Sequence, residues 1–576
     1  SNANFIRWMH IAAQPSDIRA CDKYGIACAQ PAGDKEKDAQ GRQWDQRVEV
    51  MRDTIIYFRN NPSILFWEAG NQAITAEHMR EMTALRKKLD PYGYRSMGCR
   101  ALGADQDAVD ASEYVGTMLG RQVENDSGFT ANGPVTRDKR AIVESEYFRE
   151  EAPRRVWDDY SAPWYDYIHN SGGEEGDTWD LTAEDMVVQG VKAYGDYYLN
   201  RVGSASSRPI YSAAAALCWT DSVQHGRNTA TENARMSGRV DPLRTKKQSF
   251  YAFQTMQSTE PSMYLAGHWN YSSDLSDYKN GVDPTQKTVY VLASHCRYVE
   301  LFVNGELVGR NTTPDYEFLY PFYNVDVTQN GYVEAIGYDK NGKELVRQKV
   351  ETTGEAAELR LIPVTGEQGL LADGSDLAYF DLEVVDEEGR VVPLDYSEIN
   401  LELTGDAQLC GSYNSGYSVD YGDGIVNVGK MNADPNVLRA ECGTNRIMIK
   451  AGRTAGDITL TARRDGLDEV SVTVTSIPVE TEGGLTTDMP QRLTADIEVP
   501  EEPEEETPMM LPLIDPVIAD FSENGNVEIV GEEEVQKKEI AVYIDDKAVD
   551  FGKGDSGKEL VAYEMAQSVY APVEAF

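Results

Sequence analysis

The sequence lacks the features that would mark a membrane protein, a metalloprotein or a disulfide-stabilised scaffold. None of its apolar runs approaches the roughly 18 residues that a transmembrane helix requires. Its 6 histidines and 7 cysteines are scattered and show neither zinc-type nor C-x-x-C spacing. We therefore expect free thiols, no bound metal, no cofactor and no insertion into a membrane.

Positive charge is also scarce. The chain has 54 Lys and Arg residues against 96 Asp and Glu residues, which gives a formal net charge of −42. A surface this acidic repels nucleic acid and anionic lipid. We expect a soluble protein that has neither of them as a partner.

The 576 residues are too many for one ordinary domain, so we expect three or four. Residues 1–3 resemble a cloning scar and are set aside. In residues 4–258, short apolar runs alternate with helical patterns, which favours βα units and a parallel sheet. The predicted strands are Phe5–His10, Ile26–Gln30, Ile64–Glu68, Ser96–Cys99, Ala111–Val115, Ala141–Glu144 and Pro209–Trp219. Strands in this number suit a (β/α)8 TIM barrel.

Two helices of this region can be predicted from local signals. One apolar face recurs at three- and four-residue steps and consists of Trp44, Val48, Met51, Ile55 and Phe58. A second helix is predicted over Ala76–Leu89, with Thr75 as its N-cap and the Asp90-Pro91 pair as its stop.

From residue 259 onward the hydrophobic period becomes two, as in strands. We predict immunoglobulin-like β-sandwich domains over 259–353 and 354–478. The turn Asn304-Gly305 predicts a hairpin in the first of them, and the run Asp339–Gly342 predicts another. Residues 479–510 form an acidic, proline-rich linker. Residues 511–576 are predicted to be a partial α+β segment.

Two segments carry the candidate chemistry, Asn61–Gln72 and Arg140–Tyr147. Each is an apolar run that ends abruptly in polar and acidic residues. Parallel barrel strands all end at one face, so these two runs would deliver their polar side chains to a common mouth. Two carboxyl groups about 5–5.5 Å apart are what retaining hydrolysis of a glycosidic bond requires.

The two segments resemble the acid/base strand and the nucleophile strand of family 2 glycoside hydrolases, in particular β-galactosidase-like members. The resemblance implies that Glu146, in Ser145-Glu146-Tyr147, is the catalytic nucleophile. It also implies that position 72 holds the acid/base. The family has Glu after the Gly-Asn pair, whereas this chain has Gln72.

Further residues take their expected roles from the same resemblance. Arg7 would support the nucleophile and His10 would line the sugar pocket. Asn71 would bind the sugar 2-hydroxyl. Tyr114, expected near the end of the sixth strand, would contact the nucleophile carboxylate, and Trp219 would lie under the sugar ring. For Tyr114 and Trp219, an ordinary role as a core or rim aromatic is an equal alternative.

Gln72 leaves the source of the catalytic proton open, because an amide cannot protonate a leaving group. Glu68 could replace it, although an extended strand would place it about 13 Å deeper than position 72. Acids from loops are a second source, namely Asp105, Asp107, Glu150, Glu151, Glu174, Glu175 and Asp177. The third alternative is a pseudoenzyme that binds carbohydrate without hydrolysing it.

The resemblance also suggests that the first barrel strand and two preceding domains are absent from this chain. A barrel without one strand has exposed edges that invite pairing, so we expect a partner segment or a homo-oligomer. The segment 511–576 resembles the stalk repeats of Gram-positive surface proteins. The expected protein is a secreted or surface-attached bacterial glycosidase that acts on β-linked sugars such as β-galactosides.

Overall fold

The computed structural model describes much of residues 2–271, the barrel region, and nearly all of residues 285–482, the β-rich region that follows. The described residues are 2–33, 37–92, 95–100, 106–119, 131–132, 142–146, 152, 154, 158, 160–161, 181–196, 219–221, 236–271, 285–420, 425–431, 434–482, 485–486, 519–521, 527–529, 543–544, 547–548, 563–565 and 568–570.

A four-stranded parallel sheet opens the chain. Its strands follow one another in sequence order: β1 (Phe5–Arg7), β2 (Ala27–Pro31), β3 (Ile64–Glu68) and β4 (Ser96–Gly98). The helices α1 (Pro15–Tyr24), α2 (Arg42–Phe58) and α3 (Ala76–Leu89) connect them. This βα alternation confirms the predicted parallel architecture, and the predicted bounds of β3 and α3 agree with the structure.

Both predicted helices are confirmed, and the same local signals explain where they lie. Four of the five predicted apolar residues of α2 are buried, and the fifth, Val48, packs at the edge of the same core. The Thr75 hydroxyl accepts the His78 N–H at 3.4 Å, which caps α3. Asp90 ends that helix and accepts the indole N–H of the buried Trp67 at 2.9 Å.

The predicted strand Ala111–Val115 is wrong. Residues Gln106–Ala111 form a short helix, α4, and the strand β5 begins only at Val115 and runs to Leu119. Two of its six residues are Ala, the best helix former, and Asp107 lies in its first turn, where negative charge suits the helix dipole. Strand β5 pairs in parallel with β7 (Ile142–Glu146) and antiparallel with the short β6 (Ala131–Asn132). Apart from Trp219 at its end, the predicted strand Pro209–Trp219 lies outside the described residues.

Side chains from alternate strands fill the interior next to this sheet. The rings of Phe5 on β1 and Phe66 on β3 are 6.1 Å apart, and Phe66 lies 4.9 Å from Tyr114, just before β5. Arg7 and Glu68 follow two residues later on β1 and β3. Layers built by alternate strands are typical of the TIM barrel interior.

The barrel region also contains α5 (Ala183–Asp196) and α6 (Gln248–Met256). Next, two sheets pack against each other around a shared core. Their strands are β8 (Ser262–Leu265), β9 (Gln286–Ser294), β10 (Tyr298–Val303), β11 (Glu306–Asn311), β12 (Leu319–Asp326), β13 (Tyr332–Tyr338) and β14 (Glu344–Glu351). Both predicted hairpins are confirmed. Asn304 and Gly305 have φ of 50° and 84°, as a two-residue turn between right-handedly twisted strands requires.

A second pair of packed sheets follows, each with five strands. Its strands are β15 (Glu358–Val364), β16 (Leu370–Leu371), β17 (Leu377–Val385), β18 (Glu398–Thr404), β19 (Ala407–Asp420), β20 (Ile425–Met431), β21 (Val437–Arg439), β22 (Thr444–Ala451), β23 (Gly456–Arg463) and β24 (Val470–Ile477).

Beyond residue 480 the described residues form only short antiparallel pairs. These are β25 (Thr481–Glu482) with β26 (Leu485–Thr486), β27 (Ala519–Phe521) with β28 (Val527–Ile529), β29 (Tyr543–Ile544) with β30 (Lys547–Ala548), and β31 (Tyr563–Met565) with β32 (Ser568–Tyr570). Within the part of this tail that the structure describes, the helical half of the α+β prediction finds no counterpart.

A group of buried charges joins the barrel region to the first pair of sheets. We call Asp158, Glu184 and Lys287 the interface cluster. The Lys287 ammonium on β9 contacts the Glu184 carboxylate on α5, and its Nζ lies 3.4 Å from Oδ2 of Asp158. All three are buried. Ser161 and Tyr271 donate hydrogen bonds to the Asp158 carboxylate.

Arg154 joins the barrel region to the second pair of sheets. Its guanidinium donates to the carbonyl oxygen of Glu441 at 2.8 Å and to the Thr444 hydroxyl at 2.9 Å. It also lies 3.3 Å from the Asp241 carboxylate, and all of these groups are buried or nearly so. The contact fixes the chain just after β7 against the β-rich region.

Candidate active site

A buried ion pair joins the carboxyl ends of β1 and β3. Arg7, the last residue of β1, donates from Nε to Oε2 of Glu68 at 2.8 Å and from Nη2 to Oε1 at 2.5 Å. The two side chains are 3% and 1% exposed. The fork-to-fork geometry holds both groups in one orientation. Glu68 therefore fixes the orientation of the Arg7 side chain at the carboxyl ends of these strands.

The turn after β3 is anchored by the same arginine and by a second one. Arg7 Nη2 also donates to Oδ1 of Asn71 at 3.0 Å. Arg100, just after β4, donates from Nε to the carbonyl oxygen of Asn71 at 2.9 Å and from Nη2 to Oε1 of Gln72 at 3.4 Å. We call Arg7, Glu68, Asn71, Gln72 and Arg100 the strand-end cluster.

The chain turns sharply between Glu68 and Gln72. A side chain at Gly70 would place its Cβ only 2.5 Å from the end of Ile74, and Ala73 has a φ of 55°. Because β3 ends at Glu68 and the chain bends at Asn71, residues 68–72 are not one extended strand, which was the premise of the predicted separation of about 13 Å. Both residues belong to one connected cluster.

Glu68 is nevertheless poorly suited to supply the catalytic proton. Both of its carboxylate oxygens accept hydrogen bonds from Arg7, and it is buried. A carboxylate in this position acts as an acceptor that holds the arginine. The structure places Glu68 as the support of Arg7 and Asn71.

Tyr114 lies deeper in the barrel than its predicted place near the end of a strand. It precedes β5 by one residue, is 1% exposed and packs on Phe66. A Cβ at Gly98 would fall 2.5 Å from its ring, so β4 needs a glycine there. Burial, and next the charge of Glu68, raises the pKa of the Tyr114 phenol well above its ordinary value. This placement favours the role of a core aromatic.

Glu146 is the last residue of β7, at the carboxyl end of the strand. Its backbone pairs with Met118 of the parallel neighbour β5. The Glu113 N–H before β5 donates to the carbonyl oxygen of Met97 in β4 at 2.8 Å, which brings β5 beside the four-stranded sheet. Glu146 thus ends a parallel strand of the same barrel region as the strand-end cluster.

The two remaining predicted sugar contacts lie outside the cluster. His10 is half-buried, three residues beyond β1, with a φ of 67°. Trp219 is 41% exposed, and its ring lies 5.9 Å from Phe250. An exposed indole could lie under a sugar, and this role remains a prediction. Of the proposed loop acids, Asp107 lies exposed in α4, and Asp105, Glu150, Glu151, Glu174, Glu175 and Asp177 lie outside the described residues.

Sequence reasoning missed Arg100. The available signal was its position, since a single arginine follows the apolar end of β4 in Met97-Gly98-Cys99-Arg100. At 3% exposed, it is a buried charge whose Nε and Nη2 donate hydrogen bonds to the turn that follows β3. Across the described part of the chain, no cluster of His, Cys, Asp and Glu forms a candidate metal site, and no helix is long and apolar enough to span a membrane.

The fold and the strand-end residues define a class, namely a barrel of the glycoside hydrolase type followed by β-rich domains. Comparison with known families gives the same result. Residues 1–167 match the TIM barrel domain of glycosyl hydrolases family 2, and residues 364–473 match C-terminal domain 5 of glycoside hydrolase family 2. Residues 285–346 match a domain of unknown function. The chain belongs to glycoside hydrolase family 2.

Individual relatives are consistent with this assignment. The chain is 36% identical over 495 residues to a β-glucuronidase of Formosa agariphila, across 86% of this chain and 46% of that protein. It is 24% identical to the β-galactosidase BoGH2A of Bacteroides ovatus, across 71% of this chain and 51% of that protein. The chain therefore spans about half the length of these curated relatives.

A solved β-glucuronidase of glycoside hydrolase family 2 has a similar structure. The TM-score is 0.66 and the identity 34%, over 87% of this chain and 48% of the other. A family 2 member from Bacteroides cellulosilyticus superposes with a TM-score of 0.57 at 20% identity, over 82% of this chain and 56% of the other, which supports the fold alone.

Proposed function

We propose that this chain carries the catalytic barrel of a retaining β-glycosidase in which Glu146 is the nucleophile. The supporting observation is the placement of Glu146 at the carboxyl end of β7, in the barrel region whose β1 and β3 end in the strand-end cluster. In a retaining mechanism a carboxylate attacks the anomeric carbon and forms a covalent glycosyl-enzyme, which water then hydrolyses.

We further propose that the substrates are β-linked glucuronides in preference to β-galactosides. The support comes from the relatives. Those above 30% identity are named β-glucuronidases, whereas the relatives named β-galactosidases are 24% and 21% identical. The β-galactosides expected from the sequence become the alternative substrates.

The leaving group would have to be protonated by a residue other than Gln72 or Glu68. Gln72 has no acidic proton, and Glu68 is occupied by Arg7. If no loop acid replaces them, glycosides with a good leaving group should react far faster than those with a poor one. Azide, a nucleophile that needs no general base, should then accelerate breakdown of the glycosyl-enzyme.

The test is covalent trapping with a fluorinated aryl β-glucuronide, 2,4-dinitrophenyl 2-deoxy-2-fluoro-β-glucuronide, followed by peptide mass spectrometry. We expect the label on Glu146. In E146Q we expect no label and a fall in turnover of 2,4-dinitrophenyl β-glucuronide of roughly 10⁴-fold or more. E144Q, a change two positions earlier on the same strand, is the matched control. A label on another residue would show that Glu146 is not the nucleophile.

The second candidate function, a carbohydrate-binding pseudoenzyme, is favoured by one observation, the amide at position 72. It predicts that glucuronic acid binds measurably in calorimetry while neither trapping nor turnover occurs with the 2,4-dinitrophenyl β-glucuronides or with the corresponding β-galactosides. Turnover that E146Q abolishes would exclude it.

A further inference from the structure

The orientation of the Gln72 side chain follows from its neighbour. Arg100 contacts the turn after β3 at three successive residues. Its backbone N–H donates to the Gly70 carbonyl at 3.1 Å, its Nε donates to the Asn71 carbonyl, and its Nη2 donates to the Gln72 side chain. A guanidinium has only donors, so the group of Gln72 that faces it must be the carbonyl oxygen. The NH2 group of Gln72 then points away from the Arg100 guanidinium.

We propose that Arg100 is a positioning residue that fixes the Gln72 carboxamide with its oxygen toward the guanidinium and its N–H donors toward the bound glycoside. In this orientation the Gln72 amide donates a hydrogen bond and transfers no proton. This inference rests on the proposed function, because it takes the strand-end face as the place where the glycoside binds.

The arrangement has a consequence for the residue that the family carries at this position. A glutamate at 72 would accept a charge-assisted hydrogen bond from Arg100, and an adjacent guanidinium lowers a carboxyl pKa by about 1–3 units. A general acid instead needs a pKa near the working pH. Restoring the family residue alone therefore should not restore an acid, whereas restoring it without Arg100 should.

The first test needs no turnover. Thermal unfolding of the whole chain is measured at pH 7 for wild type, Q72E, R100Q and Q72E/R100Q, with R100K as the milder variant in case R100Q fails to fold. We expect Q72E to keep or raise Tm when Arg100 is present, and to lower it by on the order of 2 °C when Arg100 is replaced by Gln. An equal effect of Q72E in both backgrounds would overturn the proposed contact.

The second test uses the pH dependence of kcat/KM on two probes, 2,4-dinitrophenyl β-glucuronide and methyl β-glucuronide. With the methyl glycoside, whose departure needs a proton, Q72E should gain nothing at neutral pH, and Q72E/R100Q should gain at least roughly tenfold over R100Q. A gain in Q72E alone that rivals that of Q72E/R100Q would overturn the inference.

The two tests separate the inference from the function on which it rests. If every variant, including wild type, is inactive on both probes, the proposed glucuronidase function fails. The unfolding comparison still decides whether Arg100 orients position 72.

Discussion

The strand-end cluster and the interface cluster are both buried groups of opposite charges, yet they occupy different places in the molecule. The interface cluster joins α5 to β9 and is enclosed by Ser161 and Tyr271. The strand-end cluster lies at the carboxyl ends of β1, β3 and β4, and its members orient the side chains of a turn. Buried charge by itself therefore does not identify a site; the face of the barrel on which it lies does.

The two clusters also differ in how they hold their acids. The strand-end cluster gives Glu68 one dedicated bidentate arginine. In the interface cluster, two carboxylates share one lysine. Burial, opposed by Lys287 and assisted by the charge of Asp158, raises the pKa of Glu184 to about 7. The first arrangement fixes geometry, whereas the second makes part of the interface sensitive to pH.

The largest effect on stability is expected from breaking the strand-end pair on one side. E68Q leaves the buried Arg7 without its carboxylate and should lower the free energy of unfolding by about 3–5 kcal/mol. K23A is the control. It breaks the exposed Lys23–Glu367 pair, which joins α1 to the second pair of sheets, and should leave the urea midpoint unchanged. A midpoint in E68Q equal to that of wild type would mean that the pair does not hold the barrel.

Replacing each cluster by apolar residues should separate function from structure. Apolar side chains of similar volume often replace a buried ion pair with little loss of stability. R7M/E68L should therefore fold, yet lose turnover of aryl glycosides by roughly 10²-fold or more, because the Asn71 side chain loses the hydrogen bond from Arg7 that orients it. The matched variant D158L/E184L/K287M should fold and retain turnover. Equal losses in both variants would remove the distinction between the clusters.

The smallest effect is expected from pH. The pKa of Glu184 in the folded chain, about 7, lies above its ordinary value of 4.5, so folding favours its protonated form. This contribution to stability is complete below about pH 4.5 and is lost as the pH rises through about 7. Tm measured from about pH 5.5 to about pH 8 should therefore fall less in E184Q than in wild type. Identical slopes would contradict the assignment.

A second buried acid should leave part of that slope in place. Burial, opposed by Lys247, raises the pKa of Asp221 to about 6. Asp221 contributes with the same sign, and its contribution is lost at a lower pH than that of Glu184. Burial lowers the pKa of His268 to about 4, so its contribution has the opposite sign below about pH 6.5 and should reduce the slope that remains there in E184Q.

Elements fixed by local signals could be predicted from the sequence. Strand β3 has a continuous apolar run, and α3 has a cap, an apolar face and a stop, so their bounds agree with the structure. Strand β5 was misplaced because Tyr114, a good strand residue, is buried before the strand begins. Local preference cannot distinguish a buried aromatic at a strand entrance from one within the strand.

The candidate site was predictable as a set of positions but not as a set of partners. Arg7, Glu68 and Asn71 could be singled out, yet no sequence pattern pairs Arg7 with Glu68 across 61 residues. The objection that Glu68 lies too deep to replace Gln72 assumed an extended chain, whereas the chain bends at Asn71. Arg100 was missed because a lone arginine after a strand has no pattern of its own.

The contacts between Arg100 and residues Gly70, Asn71 and Gln72 couple the ends of two neighbouring strands, so that a change in one end affects the other. If the turn after β3 were replaced by that of a relative, Arg100 would no longer match the groups that it binds. If β4 were replaced instead, the turn would lose the hydrogen bonds from Arg100. Experiments that exchange sugar preference between members of the family should therefore transfer the turn after β3 and the end of β4 together, although α3 separates them in the sequence.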